Sequence, residues 1–163
     1  MCIRDRTGAD RLPGIVTGVH APTLPGMSGP ELSAADLWAT GVAPEGHPTR
    51  FLRADLDRLG VVTATGLRDV PAGTRVLIGG VVTHRQRPAT AGGTTFINLE
   101  DETGLINVVC SRGCWVRHRA VARSAPAMLI RGRLEKAEGV INVIAEKLDP
   151  LPIDAALRSR DFR

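Results

Sequence analysis

The chain has 163 residues and a net charge of +4, which is enough material for one domain with an appendage or for one large domain. It contains no run of about 20 apolar residues, so we expect no transmembrane helix. Residues 72–163 carry 14 Lys or Arg against 9 Asp or Glu, whereas residues 1–71 carry 7 against 8. The positive excess therefore lies in the second half, almost entirely as Arg, whose planar fork suits phosphate groups.

The ends of the chain and its cysteines suggest a cytoplasmic origin. Three cysteines, Cys2, Cys110 and Cys114, are typical of a reducing compartment without a disulfide framework. The first residues lack the apolar core of a secretory signal. Residues 1–6, MCIRDR, resemble a translated adapter or assembly scar, and we expect the remainder to be the end of a longer protein.

The first part of the chain predicts a linker followed by a pair of helices. Residues 7–30 are rich in Gly and Pro, which is typical of an extended linker. Residues 31–70 contain the predicted helices Glu31–Trp38 and Thr49–Leu59. The second has leucines at i, i+4 and i+7, and Gly60 follows it as a helix terminator. Two helices this short bury too little surface alone, so we expect them to dock on a neighbour.

From residue 71 the pattern is that of β-strands separated by turn residues. The Gly79–Gly80 pair inside the first strand predicts a bulge or a sharp bend. Residues 151–163 are predicted to form a polar, charged tail after this 71–150 domain. The predicted elements are Thr74–Thr83, Thr94–Leu99, Leu105–Cys110, a helix over Trp115–Arg123, Ala127–Glu135 and Val140–Leu148.

The order β-β-β-α-β-β predicts a mainly β fold, a five-stranded OB-fold barrel. An SH3-like barrel is the main alternative, but it has no helix between its third and fourth strands. A β-sandwich needs more strands. The complete prediction is thus a Gly/Pro-rich linker, two short helices and an OB-fold barrel.

Alternation along the second and third strands predicts a nucleic-acid-binding face. If Ile97 points into the barrel, Phe96 and Asn98 point outward, together with Asn107 on the next strand. An exposed aromatic ring can stack a base, and an amide can bond a base edge. The alternatives are that Phe96 packs beneath the helices and that Asn107 is only solvated.

Five cationic side chains near that face are candidates for phosphate contacts: Arg75, His84, Arg85, Arg87 and Arg112.

Two motifs could hold a metal. Cys110, Cys114 and His118 have C-x3-C-x3-H spacing but no evident fourth ligand. The run Glu100–Glu102 offers carboxylates for Mg²⁺, but we expect Asp101 to cap the turn instead. We predict no metal or other cofactor in this chain, and we place Trp115 at a helix start.

The segment Phe96–Asp101, FINLED, followed by Gly104–Asn107, GLIN, resembles the anticodon-binding OB domains of class II aminoacyl-tRNA synthetases. The pattern there is Phe-x-x-Leu-Arg-Asp, then Gly-x-x-Gln. In that family the Phe position stacks a base and the Gln position reads one. The resemblance therefore implies nucleic-acid contacts for Phe96 and Asn107, although Asn has a shorter reach than Gln.

A more extensive resemblance, over residues 12–163, is to the C-terminal region of bacterial C-family DNA polymerases of the error-prone, damage-tolerant branch. It implies a parent DNA-directed DNA polymerase, a nucleotidyltransferase acting in translesion synthesis during DNA repair and replication after DNA damage, in the cytoplasm. The matching runs are His47–Pro48, Leu52–Arg53, residues 84–91, residues 96–104 and Ser159–Arg163.

The same resemblance implies partners and a division of labour. The partners are a single-stranded DNA template, the sliding clamp and accessory proteins of the mutagenic polymerase complex. The catalytic palm, which would use Mg²⁺, is expected upstream, so this segment alone is expected to be inactive. A protein-interaction module and a tRNA-binding module remain the alternatives.

Overall fold

The described part of the protein is a β-barrel with short helices packed around it. The computed structural model describes residues 26, 28–40, 46–137, 139–152 and 160–162. The predicted adapter scar at residues 1–6, most of the predicted linker and most of the predicted tail lie outside these residues. No helix among the described residues is long and apolar enough to cross a membrane.

Five α-helices, a 3₁₀-helix over Gly66–Arg68 and six strands make up the described elements. The helices are α1 Gly29–Thr40, α2 Pro48–Phe51, α3 Arg53–Arg58, α4 Arg112–Arg117 and α5 Arg119–Ser124. The strands are β1 Arg75–Gln86, β2 Thr95–Asp101, β3 Gly104–Cys110, β4 Ala127–Ala137, β5 Val140–Pro150 and β6 Arg160–Phe162.

Strands β1 to β5 close into a barrel in the order β1-β2-β3-β5-β4-β1. All the pairs are antiparallel except β3–β5, which is parallel and seals the barrel. The long strand β1 makes closure possible, since residues 75–81 pair with β4 and residues 81–86 pair with β2. The mainly β fold with a five-stranded OB-fold barrel is therefore confirmed.

The Gly79–Gly80 pair lies where β1 passes from one partner strand to the other. A Cβ atom on Gly80 would lie 2.6 Å from the carbonyl oxygen of Glu100, so only glycine allows β2 to approach this closely. The register shift itself falls between Val82 and His84. The sequence predicted a bulge or a sharp bend at the glycines. The bulge instead follows them, between Val82 and His84, and the glycines allow β2 to pack closely.

The barrel interior follows the predicted alternation. Ile97, Leu99, Ile106 and Val108 are all buried, together with Ile78 from β1. These side chains form one cluster with those of β4 and β5 and with Cys114 and Ala122 from the helices. Alternation thus puts every second residue of β2 and β3 in the core and leaves the others on the outer face.

Helix α3 packs on the outer face of β1 and β4. Leu56 and Val61 form a second buried cluster with Val81, Ala127 and Leu151. Gly79 makes room for it, since a Cβ there would lie 2.9 Å from the side chain of Leu129 and 3.6 Å from that of Leu56. The helical pair was expected to dock on a neighbour, and for α3 that neighbour is the barrel. On the β2–β3 face, Phe96, Leu105 and Asn107 remain exposed.

Three elements differ from their predicted form. The predicted helix Thr49–Leu59 is broken at Leu52, which joins α2 to α3. The predicted helix Trp115–Arg123 begins earlier, because the Ser111 hydroxyl caps the N–H of Cys114 at 3.2 Å. Trp115 is therefore not at the helix start. Strand β6, which runs parallel to residues 84–86 of β1, was not predicted, because its partner is distant in sequence.

Candidate nucleic-acid interface

The outer face of β2 and β3 presents one aromatic ring beside two amides. Phe96 is opposite Val109, and Asn98 is opposite Asn107 in the antiparallel register. The Phe96 side chain is 38% exposed, although large apolar side chains are normally buried. The alternative in which Phe96 packs beneath the helices is therefore not what the structure shows. The face is open to a ligand at Phe96.

Asn98 and Asn107 begin a row of side-chain amides, here called the amide row, that continues onto a third strand. Asn107 of β3 is opposite Asn142 of β5 in the parallel register, so three adjacent strands each place an asparagine at the same level. Sequence reasoning missed Asn142, although alternation around buried Val143 places it outward. The β3–β5 pairing that brings it beside Asn107 is not visible in the sequence. Amides on three strands offer donors and acceptors to base edges.

One arginine of the β1–β2 loop, Arg87, and one of α4, Arg112, lie at the Phe96 end of this face. The guanidinium carbon of Arg87 lies 5.9 Å from the centre of the Trp115 ring, within cation–π range. Gly93 has a φ of +85° and lies against Arg112, since a Cβ there would lie 3.2 Å from Arg112 Cδ. Both arginines are exposed, so their charges are available to an anion beside Phe96.

Arg85 is placed differently from the prediction. It lies within β1, opposite Ile97, rather than in the loop, and it is only 6% exposed. Its Nε donates to the carbonyl of Ala122 at 2.8 Å, and a second guanidinium nitrogen donates to the carbonyl of Ala125. It therefore holds the end of α5, where helix carbonyls lack helical partners, rather than facing a phosphate.

Arg75 and His84 occupy different positions relative to the face. Arg75 begins β1 opposite Arg133 of β4 and forms an exposed ion pair with Glu146 at 3.2 Å. It thus lies at the end of β1 that pairs with β4, whereas Phe96 is opposite Gln86 at the other end of β1. His84 is opposite Asn98 in the β1–β2 register and is half-buried. The structure therefore groups His84, but not Arg75, with the aromatic face.

The acidic turn between β2 and β3 is occupied by structural hydrogen bonds. Asp101 Oδ1 accepts from the N–H groups of Thr103 and Gly104 at 2.7 and 3.0 Å, and Oδ2 accepts from the N–H of Ala64 at 2.7 Å. The predicted cap of the turn is confirmed. Glu102 accepts from Arg53 Nε at 2.5 Å and from the Thr49 hydroxyl at 2.5 Å, so these carboxylates do not fit a Mg²⁺ site.

The cysteines of the C-x3-C-x3-H motif belong to the barrel end. Cys110 and Cys114 are buried in the core cluster. Burial, followed by the neighbouring Cys114 thiol, raises the pKa of Cys110 to about 12. A protonated thiol is a poor metal ligand. Within the described ranges, no group of three or more His, Cys, Asp or Glu side chains is arranged to hold a metal ion.

A cavity of about 360 Å³ opens next to Asn107, between the β2–β3 and β4–β5 turns. Leu105 and Val140 line it and are 62% and 49% exposed. Sequence reasoning missed it, because its walls come from three segments distant in sequence. Its lining combines these apolar side chains with polar ones, among them Thr65, Thr103 and Asn107.

The barrel topology and the family comparison define the class of protein. Residues 76–151 match the family model described as "OB-fold nucleic acid binding domain". The matched range begins at the second residue of β1 and ends just after β5. The described barrel is thus an OB-fold domain, and the family that it matches is described as nucleic-acid binding.

Similar proteins give the more particular assignment. The chain is 60% identical over 154 residues to an error-prone DNA polymerase of Mycobacterium bovis and 59% identical over 158 residues to that of Nocardia farcinica. These matches cover 94% and 97% of this chain, but the chain spans only 14% of either relative. The chain is therefore similar to one segment of bacterial error-prone DNA polymerases.

A solved structure is also similar. Asparaginyl-tRNA synthetase from Pyrococcus horikoshii, complexed with asparaginyl-adenylate, superposes with a TM-score of 0.49 at 18% identity. The superposition covers 58% of this chain and 23% of that chain.

Proposed function

We propose that this region binds single-stranded DNA for a parent DNA-directed DNA polymerase acting in translesion synthesis after DNA damage. The observation that carries the proposal is the exposed Phe96 ring on the outer face of β2 and β3, with amides beside it and arginines at its end. Phe96 stacks a base, Asn98 and Asn107 bond base edges, and Arg87 and Arg112 contact phosphates. His84 lies along the same path.

Binding the template locally raises its effective concentration at a catalytic site elsewhere in the longer protein. Template binding therefore supports synthesis without adding chemistry of its own. Arg75 and Arg85 do not belong to the proposed path, because Arg75 is paired with Glu146 at the other end of β1 and Arg85 is buried beneath α5. The sliding clamp and accessory proteins of the mutagenic complex are proposed partners of the longer protein.

Fluorescence anisotropy with labelled oligo-dT at low and physiological salt tests the proposal. Loss of a stacking ring costs about 1–3 kcal/mol per base, so we expect Phe96→Ala to weaken binding by roughly 5- to 150-fold. Phe51→Ala is the matched control, since Phe51 is a similarly exposed phenylalanine, at 43%, on α2. It should leave the affinity unchanged.

Two results would contradict the proposal at different levels. Absence of binding at low salt by the folded wild-type protein would remove DNA binding altogether. Equal weakening by Phe96→Ala and Phe51→Ala would remove Phe96 from the site but not the activity. A strong preference for folded tRNA over oligo-dT would favour the tRNA-binding alternative.

A protein-interaction role is the second candidate, and the cavity beside Asn107 favours it. Its exposed Leu105 and Val140 side chains could receive an apolar side chain of an accessory subunit. Such binding depends weakly on salt, whereas DNA binding weakens steeply as salt rises. Leu105→Ser should then reduce capture of the accessory subunit while leaving oligo-dT affinity intact.

A further inference from the structure

Helices α4 and α5 lie in a part of the chain with no negative charge. No Asp or Glu occurs between Glu102 and Glu135, whereas this interval contains six arginines. Four of the six belong to α4 and α5: Arg112, Arg117, Arg119 and Arg123. Only Arg112 has a place in the proposed path, so the role of the other three is open.

The arginines of α4 and α5 all lie on the side of the helices that faces away from the barrel. Cys114 and Ala122 are buried in the core, and Trp115 and Val121 pack against it. All four arginines are exposed, and among the described residues none of them forms an ion pair. The helices thus present positive charge that no ion pair among the described residues compensates.

This arginine surface is continuous with the Phe96 face. Arg112 packs against Gly93 of the β1–β2 loop, and Arg87 of the same loop lies over Trp115 of α4. Arg85 holds the C-terminal end of α5 by donating hydrogen bonds to the carbonyls of Ala122 and Ala125. The arginines are therefore held in place on a rigid base rather than carried on a mobile segment.

We propose that Arg117, Arg119 and Arg123 form a second phosphate-binding surface, which takes the backbone of the single-stranded DNA where it leaves the β2–β3 face. The inference rests on the proposed function, because the strand must first occupy that face. A guanidinium fork matches phosphate oxygens, and the absence of interleaved acidic residues suits a partner with regularly repeated negative charge. An acidic protein segment is the alternative partner that the test below separates.

Salt dependence and oligonucleotide length together test this surface. OB folds occupy about 4–16 nucleotides, so oligo-dT of about 5 nucleotides fits the sheet face and one of about 16 also reaches the helices. Each phosphate contact contributes about 0.7 to the slope of log K against log salt for single strands. The wild-type slope should therefore be steeper by about 2 for the longer oligonucleotide.

The triple variant Arg117→Gln, Arg119→Gln, Arg123→Gln should lose that extra slope and bind the short oligonucleotide like the wild type. Over a fourfold rise in salt, the difference in slope amounts to a roughly 20-fold difference in how far affinity falls. The matched control is Arg50→Gln, Arg58→Gln, Arg131→Gln. It removes the same charge from exposed positions outside α4 and α5 and should keep the wild-type slopes.

Two results would overturn this inference, and the first of them is measured on the wild-type protein alone. Equal wild-type slopes for the two lengths would mean that no further phosphates are contacted beyond the sheet face. Equal slopes for the α4–α5 triple variant and the control would assign the effect to net charge alone. In either case Phe96→Ala would still weaken the short oligonucleotide, so the proposed function would survive.

Discussion

Arg85 ties α5 to β1, since two of its guanidinium nitrogens donate to the carbonyls of Ala122 and Ala125. The neighbouring arginine of the same run, Arg87, is exposed over Trp115. The two residues differ because Arg85 is still inside β1, opposite inward-facing Ile97, and therefore shares its direction. The sequence pattern predicted that the strand ends at Thr83. That boundary leaves out the alternation that turns Arg85 inward, and it places both arginines in a loop.

Arg85→Ala should lower the free energy of unfolding by about 1–3 kcal/mol, because it leaves two buried carbonyl oxygens without a donor. Urea denaturation followed by circular dichroism measures this. Arg87→Ala is the control, and it should change stability by less than about 1 kcal/mol, since its cation–π contact is exposed. A larger effect from Arg87→Ala than from Arg85→Ala would contradict these roles.

At the scale of elements, the helical pair is joined to the β2–β3 turn by a polar network. Arg53 Nε and the Thr49 hydroxyl both donate to Glu102, and the Thr49 hydroxyl oxygen accepts from the Glu102 N–H at 3.0 Å. The Arg53 and Glu102 side chains are 19% and 16% exposed, so the pair is shielded from solvent more than a surface ion pair. Sequence pattern alone did not bring these residues together.

Acid should weaken the docking of α2 and α3. Burial raises the pKa of Glu102, but the hydrogen bonds from Arg53 and Thr49 outweigh it and hold that pKa below its ordinary 4.5. The stability that the network contributes is therefore present above about pH 4.5 and is lost as pH falls through the lowered value. Glu102→Gln should lower the free energy of unfolding at pH 7 by about 1–3 kcal/mol and should lack this acid-dependent loss.

His47 adds a second loss of stability on acidification, which begins at a higher pH than the loss due to Glu102. Burial lowers its pKa from the ordinary 6.5, against the opposing charges of the acidic turn. The folded state therefore disfavours the imidazolium, and stability falls once pH drops below about 6.5. Urea unfolding from pH 7.5 to 3.5 should show two losses in the wild type and one in Glu102→Gln. Glu146→Gln, at an exposed ion pair, is the control and should behave as wild type.

At the scale of the whole molecule, the barrel core and the helix-docking cluster share β1 and β4. Ile78 and Ile130 point into the barrel, whereas Val81 and Ala127 lie under α3. Because the same two strands are buried on both sides, the helices and the barrel should unfold as one unit, although their boundary near residue 70 was predicted as a domain boundary.

Leu56→Ala should lower the free energy of unfolding by about 2–5 kcal/mol, because the Leu56 side chain of α3 is packed against the sheet and only 1% exposed. Leu59→Ala is the matched control, since Leu59 follows α3 and is 58% exposed. It should change stability by less than about 0.5 kcal/mol. A second, separate transition for the barrel would show that helices and barrel are independent.

The sequence by itself determined the order of the strands along the chain, the inward face of β2 and β3, the turn cap at Asp101 and the outward position of Phe96. Each of these follows from local alternation or turn chemistry, which operates over a few residues. The end of β1, and with it the burial of Arg85, could not be predicted from that local pattern alone.

Only the tertiary structure decided which outward residues lie together. The parallel β3–β5 pair adds Asn142 to the amide row, and barrel closure separates Arg75 from Phe96. The loop packing joins Arg87 and Arg112 to the arginines of α4 and α5. These groupings depend on pairings between segments distant in sequence, and neither periodicity nor composition encodes which distant strands become neighbours.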